Sequence, residues 1–421
     1  MIEGFRLKGG VVHCEDVPLP LIAHEVGTPV YVYSAAAMVG QARRLKAALA
    51  PLADPLVAYA VKANPNPAVV ATLAAEGLGA DVVSAGEYRC ARAAGIAADR
   101  IVFSGVGKTA AEMAIALDGG LCQFNLESVP EAEMLSDVAL SMGRRAPVAL
   151  RVNPDVEAGS HAKISTGAAH NKFGVAIADA LAACERIRAL PGLELKGVAV
   201  HIGSQLTSLA PLEAAFERLG ALIRALRAAG HSIATADLGG GLGLVYDPAA
   251  PPPPTPADYG AMVARVTRGW ETRLIFEPGR LLVGDAGVLL TTVIRVKPGP
   301  ALPFVIVDAA MNDLMRPTLY DAWHAAEAVV PDGEQMVADL VGPICETGDT
   351  FARSRRIDRV GAGELMILRT AGAYAATMGG TYNSRPLSPE VLVSGREWSV
   401  VRGRQPVEEL YDYRLPPWLP G

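Results

Sequence analysis

Short apolar runs alternate along this chain with longer stretches rich in Ala, Leu, Arg and Glu. Eight apolar runs, at 56–61, 80–83, 100–104, 121–125, 147–152, 196–202, 233–238 and 273–276, are each bounded by Gly, Pro, Asn or Asp. Runs of this length that are apolar throughout predict strands buried on both faces, as in a parallel sheet. The stretches at 35–50, 66–77, 86–95, 109–118, 128–143, 174–189, 210–229 and 257–271 predict helices by composition. Eight strands with intervening helices over about 240 residues match a (β/α)8 TIM-type barrel in number and length. An open doubly wound sheet is the alternative arrangement of the same elements.

After Glu277 the alternation stops. Segments 281–310 and 338–402 hold short β-rich runs (VLLTTVIRV, FVIVDA, ELMILR, PEVLVSG, WSVVRG) punctuated by turns such as KPGP and GREW. They predict a second, mainly antiparallel β domain, sandwich-like or barrel-like. The N-terminal segment (RLKGGVVHCEDV, PVYVY) is β-rich too and is expected to join it, because chain termini often lie close together. The expected division is 32–280 for the barrel and 1–31 with 281–421 for the β domain. The patch DPAAPPPPTPADYG at 247–260 is too proline-rich for a helix or central strand and is expected to be a stiff surface loop.

Composition removes several function classes. With 51% hydrophobic residues and a net charge of −6, the chain is neither disordered nor collagen-like. That charge gives no reason to expect nucleic acid or an anionic membrane as partner. No run of about 18 apolar residues occurs, so no spanning helix is expected. The opening MIEGFRLKGG carries Glu3, Arg6 and Lys8 where a secretory signal would be apolar. The cysteines, Cys14, Cys90, Cys122, Cys184 and Cys345, are odd in number, widely spaced and without a C-x-x-C pair. This argues against a disulfide framework or a metal site and predicts a cytoplasmic protein.

Functional side chains of a barrel gather at the C-terminal ends of its strands. Lys62 follows the first run, His201 ends the sixth, Gly239, Gly240, Gly241 and Gly243 follow the seventh, and Glu277 and Arg280 follow the eighth. Singly, each has a bland reading: a snorkelling lysine, a hydrogen-bonded core histidine, a turn needing positive φ, a Glu277–Arg280 ion pair. Together they describe one ligand. A desolvated lysine is a nucleophile for an aldehyde. Glycine amides suit a phosphate, a carboxylate keeps a ring nitrogen protonated, and an imidazole stacks on a flat ring. That combination is pyridoxal 5'-phosphate, whose protonated ring acts as an electron sink.

These segments resemble those of the diaminopimelate decarboxylases, in the alanine racemase/ornithine decarboxylase class of pyridoxal-phosphate enzymes. The resemblance runs through AYAVKANPN (58–66), GADVVSAGE (79–87), RVNPD (151–155), HAKISTGAAHNKFG (161–174), HIGSQ (201–205), DLGGGLG (237–243), EPGR (277–280), AAMNDLMRPTLY (309–320), CETGD (345–349) and GAYAATMGGTYNSRPLSPEVLV (372–393). It implies decarboxylation of meso-2,6-diaminopimelate to L-lysine, the last step of lysine biosynthesis. It implies that Lys62 holds the cofactor, His201 stacks on its ring and Glu277 pairs with its ring nitrogen. Ser204, Gly240, Gly241 and Tyr374 would hold the phosphate. Arg280, Arg316 and Tyr320 would bind the distal carboxylate of the substrate, with Tyr374 nearby. Cys345 and Glu346 would come from the second subunit of a homodimer with shared active sites, Cys345 to the reacting carbon and Glu346 to the distal ammonium.

The residue types agree with that substrate. A far carboxylate calls for a guanidinium fork, whereas the far end of ornithine or lysine carries only an ammonium, which arginine repels. Diamine-forming relatives resemble C-D-G-x-D at the cysteine motif, and here Glu346 follows Cys345. The competing expectations are decarboxylation of ornithine, lysine, arginine or carboxynorspermidine, racemisation of an amino acid, and a cofactor-binding protein without activity.

Overall fold

The computed structural model describes residues 4–157, 166–167, 171–411 and 414–419. The chain divides into two compact units, 37–284 and 1–36 with 285–421. The strand Val30–Ser34, which a division at 31/32 would cut, belongs whole to the second unit, where it pairs with strands on both sides.

The first unit is a closed parallel barrel. Its strands are β1 (Leu56–Ala60), β2 (Gly79–Val82), β3 (Ile101–Phe103), β4 (Gln123–Leu126), β5 (Ala146–Asn153), β6 (Leu193–Val200), β7 (Thr235–Asp237) and β8 (Arg273–Phe276). Each pairs in parallel with the next, and β8 returns to β1 through Ile275 opposite Leu56 and Phe276 opposite Val57. Closure excludes the open doubly wound arrangement. Leu56, Ala58, Val102 and Ile275 pack together as one buried cluster, which is why these strands read as unbroken apolar runs.

Helices cover the outside, and their starts follow local chemistry. Ala110–Gly119 begins with a reciprocal capping box between Thr109 and Glu112 and ends at the left-handed Gly120. The proline-rich patch is shorter as a loop than 247–260, and the helix expected over 257–271 begins inside it. Its last part opens the helix Pro256–Val266, because Pro256 takes the first helical position and Thr255 and Asp258 cap each other. The segment expected as one helix over 174–189 is divided. Val175–Ala176 pairs in parallel with β5, and the helix proper is Ala180–Ala189.

The second unit centres on a mostly antiparallel sheet. Its order is Thr350–Asp358, Gln335–Val341, Phe304–Val307, Gly287–Lys297, Val30–Ser34, Glu390–Ser394 and Glu397–Arg402. Two of its pairings are parallel, Phe304–Val307 with Gln335–Val341 and Val30–Ser34 with Glu390–Ser394. The N-terminal strands pack on it through a core that includes Phe5, Val12, Leu19, Ile22, Val288, Leu290 and Val391. Among the described residues no helix is long and apolar enough to cross a membrane.

Candidate active site

The C-terminal ends of the barrel strands carry an unusual density of buried polar side chains. Lys62 sits in the single 3-10 turn Val61–Ala63 just beyond β1. The β1–β2 register sets Ala60 opposite Asp81, and Lys62 Nζ meets Asp81 Oδ2 at 2.6 Å. Asp81 is fully buried, while the Lys62 side chain is 37% exposed. A buried carboxylate therefore tethers a reachable amine at the rim, which is not the posture of a surface lysine. The second oxygen, Asp81 Oδ1, is buried without a hydrogen-bond partner.

Glu277 follows β8 and lies buried beside Asp237 at the end of β7. Its Oε1 accepts from Ser104 Oγ at 3.1 Å and from Asn125 Nδ2 at 3.2 Å. Asn125 Nδ2 also reaches Asp237 Oδ2 at 2.8 Å, and Gly239 N–H donates to Asp237 Oδ1 at 2.9 Å. Behind Asn125 the chain of donors continues through Gln123 to Thr235. Burial, then the neighbouring Asp237 and Asp81, push the Glu277 carboxyl well above the usual range, and burial raises Asp237 as well. The end of the barrel thus gathers the carboxyl groups of Glu277, Asp237 and Asp81, of which Asp81 is paired with Lys62.

His201 follows β6 and takes the backbone N–H of Gly240 on Nδ1 at 3.2 Å. Burial, then the charges of Arg151 and Lys62, hold the imidazole well below its usual pKa. Its ring is therefore neutral, with the proton on Nε2. Arg151 is aimed by Glu127, Nη1 to Oε1 at 2.7 Å. Ser104, Asn125, Arg151, His201, Asp237 and Glu277 line one small cleft.

The glycine turn leaves no room for side chains. A Cβ on Gly240 would stand 2.3 Å from the Glu277 carbonyl oxygen, and Gly241, at φ 126°, is held 2.8 Å from the Gly203 oxygen by the same measure. Beside it Arg280, buried, donates to Ser204 Oγ from Nε at 3.3 Å and Nη2 at 3.2 Å, and to the Tyr246 hydroxyl from Nη1 at 2.6 Å. Lys62, His201, Ser204, Gly240, Gly241, Glu277 and Arg280 all lie on this one end of the barrel unit.

The remaining expected site residues lie in the second unit. Arg316, buried, opens the short helix Arg316–Tyr320, and Tyr320 is half-buried at its end. Thr318 Oγ1 donates to the Gly348 carbonyl at 2.7 Å, which ties that helix to the loop of Cys345 and Glu346. The loop hangs on buried Asp349, whose carboxylate accepts from Ile344 N at 2.7 Å and Met311 N at 2.6 Å. Cys345 and Glu346 themselves are exposed. Tyr374 adopts φ 53°, a left-handed conformation that a tyrosine rarely takes outside constrained sites. Most of the segment 161–174 lies outside the described residues.

Asp81, Ser104, Asn125, Arg151 and Asp237 went unselected in the sequence. Each is the polar residue at or near the end of a barrel strand, so the strand-end rule applied to all eight strands would have found them.

The rim suits a ligand that is at once an aldehyde, a phosphate ester and a basic ring. A reachable lysine, bare backbone amides and a buried Glu277–Asp237 carboxyl pair fit those three parts, which places the protein among the barrel enzymes that use pyridoxal 5'-phosphate. Residues 36–284 match the family described as "Pyridoxal-dependent decarboxylase, pyridoxal binding domain". A diaminopimelate decarboxylase of Zymomonas mobilis is 57% identical over 418 residues, 99% of each chain. The crystal structure of diaminopimelate decarboxylase from M. jannaschii in complex with L-lysine is 33% identical, covers 99% of each chain and has a TM-score of 0.95. The Helicobacter pylori enzyme complexed with L-lysine is 36% identical over 93% of this chain and 98% of that one, with a TM-score of 0.89. The chain belongs to the pyridoxal-dependent decarboxylases, in the diaminopimelate decarboxylase branch.

Proposed function

We infer that this protein converts meso-2,6-diaminopimelate to L-lysine and carbon dioxide with pyridoxal 5'-phosphate, the last step of lysine biosynthesis. The buried Glu277–Asp237 carboxyl pair at the barrel rim carries the reading, in a chain similar end to end to diaminopimelate decarboxylases. When bound, the cofactor supplies the electron sink for the carbon that loses carbon dioxide.

The chain's own residues do the rest. Lys62 binds the aldehyde, and Asp81 keeps its amine at the rim. Glu277 holds the ring nitrogen in its charged form, its carboxylate fixed by Ser104 and Asn125. His201, neutral and backed by the Gly240 amide, offers a flat face to the ring. Gly240, Gly241, Ser204 and Tyr374 hold the phosphate. Arg280, Arg316 and Tyr320 recognise the distal carboxylate and Glu346 the distal ammonium, so binding far from the reacting carbon selects which centre reacts. Lys62 Nζ or Cys345 Sγ gives that carbon its proton.

Cys345 and Glu346 serve the site of a second copy in a two-fold dimer, with the β unit contributing to the interface. The exposed tip and anchored base of their loop support this. All five thiols are free, which fits a reducing cytoplasm. L-Lysine in the M. jannaschii and H. pylori structures is the product this reading gives.

Carbon dioxide release from meso-diaminopimelate by cofactor-loaded protein, with lysine, ornithine and arginine in parallel, tests it. Release from diaminopimelate alone, with L-lysine formed, is expected. Release only from a basic amino acid would overturn the assignment of the arginines, and D-amino acid without gas would indicate racemisation.

A further inference from the structure

Arg316 and His324 form a buried pair in the β unit, with 5% and 1% of their surfaces exposed. Arg316 Nη1 lies 2.9 Å from His324 Nε2. A guanidinium only donates, so Nε2 is the acceptor and carries no proton. The ring's proton is then on Nδ1, and Nδ1 donates to the Arg369 carbonyl at 2.8 Å. One neutral form of the ring satisfies both contacts at once.

The histidine is itself fixed from several sides. Arg355 Nη1 donates to the His324 carbonyl at 2.5 Å, while its guanidinium lies over the Trp323 ring at 4.3 Å. The Arg369 N–H donates to the Ala325 carbonyl at 2.9 Å, and the Ala322 N–H to the Arg316 carbonyl at 3.3 Å. Segment 322–325 is thereby locked to both the arginine's helix and the end of the strand Leu365–Leu368. A carboxylate at position 324 would also hold a guanidinium, and more strongly, but it would cancel the charge. A neutral imidazole fixes the direction of the guanidinium without cancelling its charge.

We propose that His324 is a positioning residue that aims Arg316 at the distal carboxylate of the substrate. This rests on diaminopimelate being the substrate. His324 sets the affinity for that end of the molecule and takes no part at the reacting carbon.

Two substitutions separate this role from simple packing. In His324→Asn the amide can replace Nδ1 toward Arg369 but is too short to reach Arg316. In His324→Gln the side-chain oxygen can replace Nε2. Steady-state kinetics of the cofactor-loaded full chain on meso-diaminopimelate should show KM raised about 10- to 100-fold in His324→Asn, the loss of one hydrogen bond to a charged group, with kcat unchanged. His324→Gln should stay near the wild-type KM. Cofactor absorbance should be the same in all three proteins. Equal KM values for the two variants, a fall in kcat at constant KM, or loss of the folding transition in either would overturn the proposal. Failure of the wild type to decarboxylate diaminopimelate would instead overturn the substrate reading beneath it.

Discussion

At Glu277 the needs of the fold and of the reaction oppose each other. Its pKa in the fold lies well above that of an unfolded chain, because the carboxyl is buried next to Asp237 and Asp81. For such a group the stabilising contribution is complete below the unfolded pKa and is lost as pH rises through the folded one. The cofactor-free protein should therefore lose stability on moving from acid to neutral pH. Glu87 adds to the same trend, since burial pushes its carboxyl up to about 7 and its contribution disappears between the ordinary glutamate range and that value. Glu277→Gln removes the Glu277 contribution and leaves those of Glu87 and Asp237. The cofactor-free variant should melt above the wild type at pH 8 and should lose less stability than the wild type on moving from pH 4.5 to 8. Loaded with cofactor, the same variant should lose about 100-fold or more in rate, the usual effect of deleting a fixed charge that acts on a developing one. Equal melting curves in the two cofactor-free proteins would mean that burial does not strain this carboxyl. A wild-type rate would remove Glu277 from the ring nitrogen.

Among the elements, the turn after β7 leaves no room for a side chain. The nearest neighbour of a Cβ at Gly240 would be a backbone oxygen, so no side-chain rearrangement can make room for it. Gly240→Ala should cost about 1–3 kcal/mol by overpacking and should weaken cofactor retention. Gly107→Ala, with open space around it, should do neither. Melting temperature and cofactor dissociation report the two effects separately, and equal behaviour of the two variants would show that the turn is not a cradle. The barrel strands that frame this turn were visible in the sequence because burial on both faces makes each one an unbroken apolar run. The network inside their ends was less visible. Asn125 in QFNL and Arg151 in VALRVN sit at strand ends where the barrel rule points, but each shares its strand with another polar residue, Gln123 or Asn153, and nothing local says what any of them will meet. Only closure of the barrel brings Asn125 between Asp237 and Glu277, residues more than a hundred positions away. The helix Pro256–Val266 was legible in the composition of 257–271; only its start, set by Thr255, Pro256 and Asp258, lay inside the proline-rich patch read as a loop.

At the scale of the whole molecule, the switch from βα alternation to turn-punctuated β runs made the two units legible, but their seam depends on pairing. Val30–Ser34 looks like any short strand until Gly287–Lys297 and Glu390–Ser394 are found on either side of it. The sharing of sites between copies is a property of the assembly and gives a numerical prediction. Lys62→Ala and Cys345→Ala proteins should each be inactive. If every site takes Lys62 from one copy and Cys345 from the other, a mixed dimer has one intact site and one doubly damaged site. Random exchange at equal amounts makes half of the dimers mixed, so about a quarter of wild-type activity should return. If each site instead takes both residues from one chain, every site of the mixed dimer has lost one of them, and nothing returns. Pull-down through a tag on one variant establishes that exchange has occurred. Exchange without recovered activity would therefore place Cys345 in its own chain's site, and the exposed loop would then need another reason for its shape.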